Sequence, residues 1–169
     1  DGTLLQRPAY GAAGVPVTLT ARVQKGGFWR EVEQPVTVAP YNDEWKAVHS
    51  VSEALVLEGI DNLTQSLTLP TSLVDDETGK TVSITWVTNN DAVISSTGQI
   101  SRPGIGEPAK SAELTATFVA SVRNRYEERV VKTYAVTLAP LGEEESQAKN
   151  AAKAEAEEAL AAIPNADDI

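Results

Sequence analysis

Apolar and polar residues alternate along most of this chain, and the alternation predicts strands. Leu114, Ala116, Phe118, Ala120 and Val122 recur at every second position between polar neighbours, as in a strand with one face buried. Tyr134, Val136 and Leu138 repeat the pattern beyond Arg123-Asn124-Arg125-Tyr126-Glu127-Glu128-Arg129, a polar stretch that predicts a hairpin. Upstream, Lys25-Gly26-Gly27 predicts a tighter turn between Val17 to Val23 and Val32 to Val38. Further strands are predicted at Leu67 to Pro70, Val82 to Val87 and Ala92 to Ile94, with polar turns at Asp75 to Lys80, Asn89 to Asp91 and Ser95 to Gly98. Short strands with turn signals roughly every eight to twelve residues describe a β-sandwich.

Two segments follow a helical period instead. Asn42 offers an N-cap, Asp43 and Glu44 place negative charge in the first turn, and Trp45, Val48, Val51 and Leu55 follow at near-helical spacing, which predicts a helix over 43–55. Glu143 to Ala162 is almost entirely Ala, Glu, Lys and Gln, the residues that lose least on entering a helix. Its stripe of Ala148, Ala152, Ala156, Ala159, Leu160 and Ile163 is too small-sided to drive a coiled coil, and Pro164-Asn165 is expected to end it. Each helix follows an Ala-Pro pair and has the character of a semi-rigid spacer.

The chain also repeats itself. Arg7-Pro8-Ala9-Tyr10-Gly11 and then Val17 to Val23 align with Arg102-Pro103-Gly104-Ile105-Gly106 and Ala112 to Phe118 at a separation of 95 positions. Val36-Thr37-Val38-Ala39-Pro40 aligns with Val136-Thr137-Leu138-Ala139-Pro140 at a separation of 100, so the second hairpin is about five residues longer. This period suits a small all-β domain rather than a solenoid unit. The expected organisation is the back half of a first repeat at 1–40, a helical connector at 41–55, a complete repeat at 56–140, a second helical connector at 141–163, and at 164–169 the start of a further repeat or a tail. In such a slice the inward faces of residues 1–40 have no opposing sheet.

Composition narrows the function classes. The 169 residues contain no Cys, hence no disulfide framework, thiolate metal site or thiol nucleophile. They contain no Met either, which suggests a processed or excised piece with any leader outside it. No apolar run has the length of a membrane span. A net charge of -10 disfavours nucleic acid and anionic lipid, which attract clustered Lys and Arg.

Five motifs in order then carry a resemblance: Leu67-Thr68-Leu69-Pro70; Ile84-Thr85-Trp86; Val93 through Ser95-Ser96-Thr97-Gly98-Gln99 to Pro103; Leu114-Thr115-Ala116-Thr117; and Tyr134-Ala135-Val136-Thr137-Leu138. Together they resemble the atrophied bacterial immunoglobulin-like domain family, over roughly Ala54 to Pro140 and again, for the back half, over Gly2 to Pro40. Val87-Thr88-Asn89-Asn90 departs from the family's Ser-Ser-Asn run, and the first copy lacks the Leu-Thr-Leu-Pro and Thr-Trp motifs. The resemblance implies non-catalytic modules of secreted, multidomain bacterial proteins, with no catalytic residue to carry over. The fold expected is mainly β, with immunoglobulin-like β-sandwich repeats joined by short α-helices.

Chemically suggestive residues each have a plainer reading. His49, the one His, lies in the first predicted helix and lacks the convergent partners of a metal or acid-base site. Asp75-Asp76-Glu77 lacks the alternating ligand spacing of a calcium loop and is read as a solvated turn. Ser95-Ser96 has no base and is read as turn chemistry. No catalytic, cofactor or metal residue is therefore expected. Trp86 shares a strand face with Val82 and Ile84 and belongs to the core. Phe28-Trp29 sits at a hairpin tip, where exposed rings would contact a sugar or partner, although packing of Trp29 against the neighbouring helix or sandwich is the favoured reading.

These readings describe a structural spacer of a large secreted or cell-surface bacterial protein. Its expected partners are neighbouring repeats of the same polypeptide, a second chain completing the half-repeat, and a polysaccharide, with neither nucleic acid nor membrane insertion. The alternatives are a carbohydrate-binding accessory module of an extracellular glycoside hydrolase and an adhesin repeat binding a host or cell-wall partner.

Overall fold

A computed structural model describes residues 6–122 and 126–161. Its elements are β1 (Val15–Lys25), β2 (Phe28–Val38), α1 (Asp43–Ala54), β3 (Ser72–Val74), β4 (Thr81–Thr88), β5 (Lys110–Val122), β6 (Tyr126–Leu138) and α2 (Glu143–Ala161). Strands β1 and β2 form one antiparallel sheet, and a second antiparallel sheet has the order β3-β4-β5-β6. Of the polar stretch Arg123 to Arg129 predicted to join two strands, Tyr126 to Arg129 instead belong to β6; Arg123 to Arg125, the residues Ala162 and Ile163, the stop at Pro164-Asn165 and the segment 164–169 lie outside the described residues, as does Gly2.

Local chemistry explains the element ends. Gly26 and Gly27 have φ of 54° and 84°, the paired positive values that a two-residue hairpin turn requires, and β1 and β2 pair without interruption from Val15↔Val38 to Lys25↔Phe28. At the start of α1 the Asn42 side chain accepts the Trp45 N–H at 2.9 Å, satisfying one of the amides that the first turn leaves free. Helix α2 opens on Glu143, Glu144 and Glu145, where the helix dipole favours acidic groups.

By packing, the chain divides into two compact units. The first comprises the residues up to Leu55 together with Ser72–Ile84 and Phe118–Val130; Ala47, Val48 and Val51 of α1 are buried there, as are Val82, Ile84, Phe118 and Ala120. Helix α1 lies against β3 and is held to the turn between β3 and β4 by two ion pairs, Lys46–Glu77 and Lys80–Glu44, each at 2.9 Å. The second unit comprises Val56–Thr71, Thr85–Thr117 and the residues from Val131. Its core holds Leu63, Trp86, Val93, Ile94, Ala112, Leu114, Ala116, Tyr134, Val136 and Leu138. The period-two reading of β4, β5 and β6 thus identifies their buried faces.

Elsewhere the structure departs from the predicted elements. Leu67 to Pro70 joins no ladder: Leu67 N–H donates to the Gly98 carbonyl at 2.9 Å, and Pro70, which has no N–H, presents its carbonyl to Trp86. Ala92 to Ile94 is a turn that ends in a single bridge, Ile94↔Ile100. The buried face of α1 is formed by Ala47, Val48, Val51 and Ser52, while Trp45 is half-buried in a ring stack. Among the described residues of α2 none is buried.

Candidate functional site

The hairpin tip carries the residues that sequence marks for contact. Phe28 is 85% exposed and Trp29 56% exposed. Neighbours on a strand point to opposite faces, so the two rings cannot form one platform. The Arg22 guanidinium lies 4.2 Å from the centroid of the Trp29 ring and shields one of its faces. Trp29 thus offers a ligand one ring face, and Phe28 is exposed separately beside it.

A second aromatic group surrounds α1. Tyr41 stacks on Trp45 at a centroid separation of 4.0 Å, Trp45 stacks on His49 at 4.1 Å, and the Arg7 guanidinium lies 5.1 Å from the Tyr41 centroid. Trp45 and His49, four residues apart, share one side of α1, and Tyr41, just ahead of the Asn42 cap, extends the stack. His49 Nδ1 and the Trp45 carbonyl are 2.9 Å apart, so the imidazole is engaged with its own helix.

Arg7 links this stack to the end of β2. It donates to the carbonyls of Ala39 at 3.3 Å and Pro40 at 2.7 Å, and Arg102 does the same to Ala139 at 2.9 Å and Pro140 at 2.7 Å. The surrounding backbone matches as well. Tyr41 N–H donates to Pro8 O and Leu141 N–H to Pro103 O, while Ala12 N–H donates to Ala9 O and Glu107 N–H to Gly104 O. What each arginine meets beyond those carbonyls differs: Arg7 faces the ring of Tyr41, just before α1, whereas Arg102 pairs with Glu145 of α2 at 2.8 Å. That pairing, with a hydrogen bond from Gly142 N–H, holds the Glu145 carboxyl below its usual pKa.

The acidic turn is a structural device. Asp75 is only 6% exposed, contrary to the reading of the whole turn as solvated. Its carboxylate accepts from the Thr78 hydroxyl at 2.6 Å and the Thr78 N–H at 2.8 Å, and these bonds, the hydroxyl first, lower its pKa despite burial. Sequence signals acidity here but not which carboxylate turns inward. Tyr10 donates to Asp43 at 3.1 Å, which raises the phenol pKa, and Glu77 raises that of Lys46 by accepting from it. Burial raises the pKa of Tyr134. Each of these shifts thus has a cause in the packing of the fold.

Trp86 is buried, as its alternation with Val82 and Ile84 predicts, and lies 5.7 Å from Tyr134 between ring centroids. The chain is mainly β, with two antiparallel sheets, and has an immunoglobulin-like β-sandwich fold in which this indole, on β4, is a core residue. The chain belongs to the atrophied bacterial Ig domain family, which matches residues 48–140, more than half its length. Such domains are structural modules of bacterial proteins and are generally non-catalytic. A search of curated proteins finds no match. No helix among the described residues is long and apolar enough to cross a membrane.

Proposed function

We propose that this chain is a spacer of immunoglobulin-like repeats in a secreted or surface-displayed bacterial protein, and that it positions other domains without chemistry of its own. The observation that carries the reading is the arginine clamp. At two places, 95 positions apart on the arginine side and 100 on the carbonyl side, a guanidinium grips the Ala-Pro carbonyls that close a hairpin. A helix begins three residues after each proline, at Asp43 and at Glu143. Fixing the chain where a strand hands over to a helix sets the direction of the next element, which is the property a spacer needs. The organisation favoured is a back half-repeat over 1–40, a complete repeat over 56–140, and helices between and after them.

The test is rigidity at one such junction. Spin labels at Val87 and Lys153 should give one narrow distance distribution, and Arg102→Gln should broaden it. A broad distribution in the unaltered chain would remove the support for a spacer.

The exposure of Phe28 and Trp29 favours a second reading, in which the module carries a weak polysaccharide or partner contact. Affinity gel electrophoresis against plant polysaccharides tests it. Retardation that disappears in Trp29→Ala would favour this reading over a plain spacer.

A further inference from the structure

At the foot of the β1–β2 ribbon is a cavity of about 330 Å³, lined by Arg7, Pro8, Val15, Val17 and Val38 among others. The equivalent place elsewhere in this chain is filled. Arg102, Pro103, Lys110, Ala112 and Leu138 take those five positions in the second copy. There the buried Leu63 bridges Leu138 in parallel, its N–H donating to Thr137 O at 2.8 Å and its carbonyl accepting from Ala139 N–H at 3.1 Å. Bridged residues share a sheet face, so the Leu63 side chain lies on the buried side with Leu138.

The two places are built alike. β1 and β5 begin 95 positions apart, at Val15 and Lys110, and β2 and β6 end 100 apart, at Val38 and Leu138. The arginine clamp behind each is the same. Their faces differ in cover: Leu114 and Phe118 are fully buried, whereas their counterparts Leu19 and Val23 are 52% and 58% exposed. An apolar strand face of this length, left to water, forgoes most of the stabilisation that its residue types supply when buried.

We propose that the cavity is a seat for an extended polypeptide segment carrying a leucine between polar residues, in the pattern Asn62-Leu63-Thr64, which adds to β2 in parallel. Its leucine enters between Val15, Val17 and Val38, and its backbone pairs with Thr37 O and Ala39 N–H, the counterparts of Thr137 O and Ala139 N–H. Strand addition of this kind draws affinity from main-chain bonds and specificity from the pocket. The occupant is the covering half of a repeat, and the argument for it is continuity with the Leu63–Leu138 contact that this chain already makes. The proposal rests on the repeat reading above, but its test is independent of the Arg102 junction.

The probe is a synthetic peptide with the sequence of residues 56–71, titrated into the isotope-labelled chain while amide resonances are followed by NMR. Shifts should localise to Val15, Val17, Thr37, Val38 and Ala39. The peptide bearing Leu63→Asp should bind at least about tenfold more weakly, as expected when a buried leucine is lost. The chain carrying Val17→Asp should lose the response at the ribbon and keep its other resonances. The proposal is overturned by no localised shift at millimolar peptide, by equal binding of the Leu63→Asp peptide, or by shifts confined to Thr137 to Ala139. Concentration-dependent shifts of the ribbon without peptide, undisturbed when peptide is added, would assign the face to a second copy and overturn it as well.

Discussion

The indole N–H of Trp86 donates to the carbonyl oxygen of Pro70 at 2.8 Å. One bond thereby joins a buried aromatic on β4 to the segment Leu67 to Pro70, which has no ladder of its own, and satisfies the indole's sole polar group inside the core. Trp86→Ala is expected to cost about 3–5 kcal/mol through the cavity it leaves. Trp86→Phe should cost less, and a drop in the urea midpoint with an unchanged m-value is the check.

Gly98 has φ of 86°, and a Cβ added there would stand 2.2 Å from the Leu67 carbonyl oxygen. The same glycine accepts the Leu67 N–H, so the strands' connecting segments touch backbone to backbone. Gly98→Ala is expected to destabilise by at least about 1–3 kcal/mol, from the left-handed backbone alone. Thermal melts of the two proteins test this, and an equal midpoint would refute it.

Asp75 titrates below its ordinary value of 3.8, chiefly because the Thr78 hydroxyl hydrogen-bonds its ionised form. A depressed carboxylate contributes stability that is fully present above the unfolded pKa and is lost as pH falls through the folded one. Stability should therefore fall on acidification below about pH 4, the ordinary Asp range. In Thr78→Val the fall over that window should be shallower, because the folded pKa moves back toward the unfolded value. Denaturant midpoints at pH 2 to 7 for both proteins would measure the difference.

Arg102 and Glu145 should not be equivalent in a denaturation experiment. The arginine is largely buried and donates to three carbonyls, those of Thr64, Ala139 and Pro140, besides the carboxylate, whereas Glu145 is exposed. Arg102→Ala is expected to cost on the order of 2–3 kcal/mol, from charge-assisted bonds to backbone acceptors. Glu145→Gln should leave the midpoint nearly unchanged, since exposed pairs contribute little.

Sequence by itself determined the elements whose cause is local. Alternation marked β1, β2, β4, β5 and β6, because a strand with one face buried must place its apolar residues two apart. The Asn42 cap and the run Glu143 to Glu145 marked where the helices start, because free amides at a helix end attract acceptors and negative charge. The greater length of the second hairpin is there too: β5 and β6 have 13 residues each against 11 in β1 and β2. Tertiary structure decided what depends on residues far apart in the chain. Leu67 to Pro70 has strand composition but finds Gly98 and Trp86 instead of a partner strand. Asp75 turns inward because Thr78 and the lid of α1 give its charge a place, and nothing in an acidic tripeptide says which member will do so. The repeat pairs Arg7 with Arg102 in the sequence, but only folding brings the Ala-Pro carbonyls to them. Leu19 and Leu114 carry the same residue in the same pattern, yet one is exposed and the other buried, since burial is set by what lies across the sheet and not by the strand itself.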